Sequence, residues 1–119
     1  MWHCLQADGS LLLPRVQRAD SFMLRLRGLL GRSELDPDEG LLIVPCNSVH
    51  TIGMGFDIAV LFLSSEQRIL HLIPELPPWR MSPVVLGARS VLELNPEVLK
   101  RLPLAIGDQL RFEPTGTKT

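Results

Sequence analysis

A chain of 119 residues has room for one folded domain with one core and not for two. With 12 Lys and Arg against 13 Asp and Glu the net charge is −1, which excludes the whole-molecule electrostatic hold on nucleic acid or anionic membrane that a basic protein has. The hydrophobic share of 45% and charged share of 21% are those of a soluble globular protein, and no apolar run approaches the ~20 residues needed to span a bilayer.

The first residues, Met1 to Ser10, carry no basic region ahead of an apolar one. No signal peptide is expected, and the expected location is the cytoplasm. Cys4 and Cys46 are accordingly expected as free thiols, with a Cys4–Cys46 disulfide as the alternative. Tyrosine is absent, and the aromatics are Trp2, Trp79 and four phenylalanines, too few for a base-stacking platform.

Residues 2–6 and 11–18 read as two strands joined at Asp8-Gly9, a pair that tolerates the positive φ of a tight hairpin. Pro14 predicts that the second strand is an edge or is bulged there. Asp20 or Ser21 then caps a predicted short helix to about Leu30. Phe22, Leu26, Leu29 and Leu30 share one face of it, while Arg25, Arg27 and Arg32 are expected in solvent. Ser33 to Gly40 is an acidic loop containing Pro37, and Leu41 to Val44 is a short buried strand stopped by Pro45.

Ile58 to Leu63 is apolar at every position, so this strand is expected to be covered on both faces. Arg68 to Ile73 returns beside it, with Ile69, His71 and Ile73 on one face, Leu70 and Leu72 on the other, and Pro74 as its end. Met81 to Ala88 has no periodic pattern. Ser90 to Leu94 reads as a strand with Leu92 and Leu94 inward. Asn95 caps a second short helix with Pro96 at its first position, where a missing N–H costs little. Ala105 to Asp108 turns into a last strand, Gln109 to Phe112, and the tail from Pro114 is expected to be disordered. The expected fold is mainly β: an antiparallel sandwich or distorted barrel with one or two short helices, one domain over residues 1–114.

The order of these landmarks resembles the domain-of-unknown-function family 192, DUF192, small bacterial and archaeal β domains. The residues that carry the resemblance are Ala19, the run Arg27-Gly28-Leu29-Leu30-Gly31-Arg32, Leu35, and Gly40-Leu41-Leu42-Ile43. Cys46-Asn47-Ser48-Val49-His50-Thr51-Ile52-Gly53-Met54 is similar to one branch of the family. Pro77-Pro78-Trp79-Arg80, Val91-Leu92-Glu93-Leu94 and Gly107-Asp108 match later landmarks, so the likeness covers about residues 15–112. There is one departure. Where the family pattern has Phe-Pro-Ile-Asp, this chain has Phe56-Asp57-Ile58-Ala59, so the family carboxylate position is Ala59 and Asp57 offers one two residues earlier. The resemblance implies a compact β fold and brings no established reaction.

Functional candidates concentrate in two loops. In the first, Cys46, His50, Thr51, Met54 and Asp57 stand near Gly53 and Gly55; in the second, Trp79-Arg80 follows a stiff proline pair. The leading expectation is a binding or accessory module without catalysis. Its cleft would lie between the 46–57 and 77–83 loops, with His50, Thr51, Met54, Asp57, Trp79 and Arg80 contacting an unknown small molecule or protein partner. Met54 has a second reading as a core plug, and Trp79 as a cover for one end of the barrel. His71 is expected as a satisfied core histidine. One alternative is a hydrolytic or thiol enzyme with Cys46 as nucleophile and His50 as base. A metal site at Cys46 and His50 is another, although four residues of extended chain span roughly 13 Å and would have to curl. No cofactor is expected.

Overall fold

The computed structural model describes residues 1–20 and 34–115. Among these the chain forms seven strands: β1 Trp2–Gln6, β2 Leu11–Ala19, β3 Glu39–Ile43, β4 Ile58–Leu63, β5 Ile69–Leu76, β6 Ser90–Leu94 and β7 Leu110–Pro114. One six-residue helix, α1, spans Pro96–Arg101. The predicted helix over residues 21–30 lies outside the described residues.

The strands form one sheet in the order β5-β4-β6-β3-β2-β1-β7. It curls into a half-barrel, the barrel-like alternative of the expectation. An isolated bridge between Arg68 and Gln109 joins the residues just before β5 and β7, drawing the two edges together at one end. All neighbours are antiparallel except β2 and β3, which pair parallel from Arg15 and Glu39 to Ala19 and Ile43. Parallel neighbours need a long crossover, and the connection from Asp20 to Asp38 supplies it.

β4 has all six residues buried, as its apolar run requires. Its two faces feed different clusters. Ala59, Leu61 and Leu63 point into the barrel with Cys4, Leu13 and Leu92. Ile58, Val60 and Phe62 point outward and pack with Ile43, Val49, Met54 and Phe56. The second cluster is the undersurface of the loop between β3 and β4. That loop is therefore a lid on a hydrophobic sheet face, held by the burial of Val49, Met54 and Phe56 at about 1.5–3 kcal/mol for each large side chain.

Prolines mark bulges as the sequence suggests. The β1–β2 register shifts between Cys4↔Leu13 and Trp2↔Val16, so that Pro14 and Arg15 together oppose the single residue His3. β5 runs past Pro74 to Leu76 instead of ending there, because among the described residues β5 pairs with β4 alone and its register shifts between Ile73 and Leu76. An edge strand tolerates a missing N–H at such a point. A second shift between His71 and Ile69 makes Leu70 an extra residue and reverses the faces beyond it. Ile69 and Leu72 consequently serve the barrel interior, whereas Ile73 serves the outer cluster, a correction to simple alternation. His71 is half-buried against the ring of Phe62, centroids 5.7 Å apart.

Asn95 caps α1 as expected, its side chain accepting from the Glu97 N–H at 2.8 Å. At the C-terminus β7 includes Pro114, which pairs with Trp2, and Thr115 donates to the Met1 carbonyl, so order extends beyond the predicted start of the tail. Among the described residues no helix is long and apolar enough to cross a membrane.

Candidate functional site

β3 and β6 are antiparallel neighbours, and Ile43 near the end of β3 faces Val91 near the start of β6. The chain leaving β3 and the chain arriving at β6 therefore emerge side by side. Their pairing continues irregularly beyond the sheet. Cys46 N–H donates to the Arg89 carbonyl at 3.1 Å, Val85 N–H to Asn47 at 2.9 Å, and Ser82 N–H to Val49 at 2.9 Å. His50 and Met81 form an antiparallel bridge. The two loops singled out from composition thus run along each other.

Thr51 closes this seam. Its N–H donates to the Arg80 carbonyl at 2.8 Å, and its carbonyl accepts from Trp79 N–H at 3.1 Å. Its hydroxyl donates to the Pro77 carbonyl at 2.6 Å and accepts from Arg80 N–H at 2.9 Å. The side chain is fully buried. Thr51 is consequently the residue that holds the 77–81 turn in place, and it does not face solvent. Met54 is also buried and packs in the outer cluster beneath the loop.

With both of its flanking amides tied to Thr51, Trp79 sits at φ 62°, a left-handed conformation that costs a non-glycine residue about 1–2 kcal/mol. Its indole nevertheless does little packing, since the residue is 65% exposed. Met81, Val84, Leu86 and Ile52 are exposed around the same seam. Arg80 is exposed and donates to the Trp79 carbonyl at 3.4 Å.

Beside this ridge lies a cleft of about 320 Å³. Cys46 and His50 line it from the first loop, Met81, Ser82 and Val84 from the second, with Ile43 at its floor. The Cys46 thiol donates to the Ser48 carbonyl at 3.1 Å. His50 Nδ1 accepts from the Ile52 N–H at 3.2 Å. Nδ1 as acceptor places the proton of the neutral ring on Nε2. Asp57 stands apart from the cleft, half-buried and beside Glu75. The neighbouring Asp57 carboxyl, by hydrogen bonding and then by charge, raises the Glu75 pKa above the usual glutamate range. The family carboxylate position, Ala59, is sealed inside the barrel.

The two cysteines are free and belong to opposite faces of the sheet. Burial pushes the Cys4 thiol up to about 12. His3 pairs with Glu113 at 3.5 Å, so the three histidines are held in three different places. Among the described residues no group of three or more His, Cys, Asp or Glu side chains comes together to hold a metal ion.

Three features were not anticipated from sequence. Ser82 bridges the loops, its hydroxyl accepting from Val49 N–H at 2.9 Å and donating to the Pro83 carbonyl. Met81 and Val84 line the cleft although their segment has no periodic pattern. Glu93 is fully buried on the outer face of β6, with Leu41 and Val60 as cross-strand neighbours. Inward Leu92 and Leu94 put Glu93 on the other face, but only the central position of β6 makes that face buried.

Known proteins share this architecture. A protein of unknown function from Novosphingobium aromaticivorans DSM 12444 superposes with a TM-score of 0.73 at 18% identity, over 92% of this chain and 82% of its own. A proposed transcription regulator from Sinorhizobium meliloti 1021 superposes with a TM-score of 0.77 at 25% identity, over 93% of this chain and 91% of its own. A UPF0127 protein from Thermococcus sibiricus is 31% identical over 116 residues, 91% of this chain and 72% of the relative. Residues 3–112 match the family described as Uncharacterized ACR, and the chain belongs to that family, DUF192.

Proposed function

We propose that this protein is a partner-binding accessory domain without catalysis, acting in the cytoplasm, whose contact surface is the Trp79 ridge and the adjoining cleft between the 46–57 and 77–83 loops. The observation that carries this reading is Trp79 itself. A large aromatic is held in a costly backbone conformation by Thr51, yet its ring is left mostly in solvent beside exposed Met81 and Val84. Strain retained without a packing return is characteristic of contact sites, and tryptophan is among the residues most enriched in binding hot spots. Met81 adds a polarizable side chain that adapts to a partner. The favoured partner is an apolar protein segment. The free thiols fit a reducing compartment.

The Sinorhizobium relative is described as a proposed transcription regulator. For this chain, 12 basic against 13 acidic residues offer little for direct phosphate binding, so any such role is better served through a protein partner. The thiol-enzyme reading draws on Cys46 and His50 sharing the cleft. It is opposed by the bonds they make, since the thiol donates to a carbonyl and Nδ1 of the imidazole is occupied as an acceptor. A metal site at the same pair has no third ligand among the described residues.

Selection from a displayed peptide library tests the proposal. Apolar peptides are expected that lose at least about tenfold in affinity to the Trp79→Ser protein and are unaffected by Trp2→Phe. Selected peptides that bind Trp79→Ser and Met81→Ser as well as the parent would refute it.

A further inference from the structure

The interior of the half-barrel is closed differently at its two ends. Where β6 finishes, α1 follows, and Val98, Leu99, Leu102 and Leu104 pack into the interior cluster. At the other end, where β2, β3 and β4 finish and β1 and β6 begin, there is a cavity of about 200 Å³. Trp2, Leu42 and Phe112 form its apolar wall, and all three are half-buried extensions of the interior cluster.

Its polar lining is cationic. Arg18 and Arg89 both border it, and no carboxylate among the described residues does. Arg18 keeps Nε on Asp20 at 3.2 Å, with both side chains exposed. Arg89 differs. Its N–H donates to the Leu63 carbonyl at 2.7 Å and its carbonyl accepts from Cys46 N–H, so its backbone is fixed. Its guanidinium is exposed and makes no hydrogen bond or ion pair among the described residues. A group with five donors set against an apolar wall is ready to receive an anion. Next to it, Ser90 is nearly buried and Gln67 holds φ 61°, a second strained backbone position bordering a cavity.

The two halves of the lining select the ligand. A bare inorganic anion satisfies the guanidinium groups and leaves the apolar wall unused. A hydrocarbon does the reverse. A cavity of about 150 Å³ holds benzene, so about 200 Å³ accommodates a ring or short alkyl chain bearing one carboxylate. We propose that this mouth of the half-barrel is a binding site for a small monocarboxylate with an apolar body. The carboxylate is held by the Arg89 fork with Arg18 assisting, and the body lies against Trp2 and Phe112. The site is separate from the Trp79 surface, and its occupancy does not depend on that surface having a partner.

The test uses the full chain carrying Trp79→Phe, which leaves Trp2 as its sole tryptophan. Trp2 emission is followed during titration with benzoate, hexanoate, benzyl alcohol and inorganic phosphate. A saturable change is expected with benzoate or hexanoate, at concentrations at least about tenfold below those of benzyl alcohol or phosphate. Arg89→Gln is expected to weaken carboxylate binding at least about tenfold and to leave benzyl alcohol binding unchanged. The proposal is overturned by the absence of saturation with both carboxylates, by equal binding of benzyl alcohol, by phosphate displacing benzoate at matched concentration, or by an Arg89→Gln protein that binds normally. Should Arg89→Gln fail to fold, the benzoate to benzyl alcohol ratio on the parent decides alone.

Discussion

Replacing Thr51 by valine deletes one hydroxyl at nearly constant shape, so it isolates the bonds that join the two loops. The hydroxyl donates to Pro77 and accepts from Arg80 in a fully buried site. Valine leaves a carbonyl and an N–H without those partners and brings no water to replace them. Orphaning buried groups costs roughly 1–3 kcal/mol each, and taking account of partial relaxation the expected loss is about 2–4 kcal/mol. Against a total stability of about 5–15 kcal/mol this is a large fraction. In urea, with a slope of about 2 kcal/mol/M, the midpoint should fall by about 1–2 M with the slope unchanged. Thr51→Ser keeps the hydroxyl and should lose only about 0.8 kcal/mol for the missing methyl. Amide exchange locates the effect, because Arg80 N–H loses its acceptor whereas Trp79 N–H keeps the Thr51 carbonyl. A Thr51→Val loss below about 0.5 kcal/mol, within the range of ordinary surface substitutions, would show that the hydroxyl does not hold the loops together.

Trp79→Gly should leave stability within about 1 kcal/mol of the parent, because relief of the positive φ offsets the added freedom of the unfolded chain. A loss above about 2 kcal/mol on thermal unfolding would instead make Trp79 a packing residue. Glu75 holds its proton more tightly in the fold than unfolded because Asp57 is beside it, which favours the fold at low pH and is lost as pH rises through the folded pKa. Glu75→Gln should accordingly melt above the parent at pH 7 and match it below about pH 4, where both side chains are neutral. An unchanged difference across that window would refute the pairing. Cys4 is buried with its thiol raised to about 12, so native protein should take up at most one iodoacetamide, at half-exposed Cys46. For the same reason stability should decline as pH rises from the ordinary thiol value of about 8.5 toward about 12; two thiols modified without denaturant would contradict the assigned burial. Gly40→Ala should destabilise by about 1–3 kcal/mol, since a Cβ there meets Leu13 Cδ1 at 2.7 Å and the Glu93 carbonyl at 3.3 Å, and a normal urea midpoint would show that the strands yield.

Much of the frame was legible because a few residues admit only one reading. Six consecutive apolar residues from Ile58 to Leu63 suit a strand covered on both faces, and the sheet places β4 with neighbours on both sides. Asn95-Pro96 announced a helix start through the cap and the missing N–H. What escaped was long-range. Nothing local distinguishes a parallel from an antiparallel partner for β2, since that is decided by a crossover and not by the strand's residues. Leu70 is an ordinary strand residue, and only its pairing with β4 reveals the extra position that reverses the faces of β5.

The candidate site was legible for a different reason, and less completely. Composition drew attention to His50, Thr51, Trp79 and Arg80, and the fold brings their segments together because β3 and β6 are neighbours whose loops leave the same end of the sheet. Composition does not reveal which of two adjacent side chains points in. Along the seam the direction alternates as in a strand: Val49 and Thr51 are buried, Val49 on the outer cluster and Thr51 against the 77–81 turn, while half-exposed His50 and exposed Ile52 go up. The threonine that looked like a contact is therefore the fastening, and the methionine beyond it is the underside. Beyond Trp79, the exposed face is made by residues from a stretch without period, Met81 and Val84, because a segment pinned by backbone bonds to its neighbour needs no periodic pattern of its own to be ordered. Apolar side chains on such a segment are free of packing duty, which is why their exposure carries information about a partner.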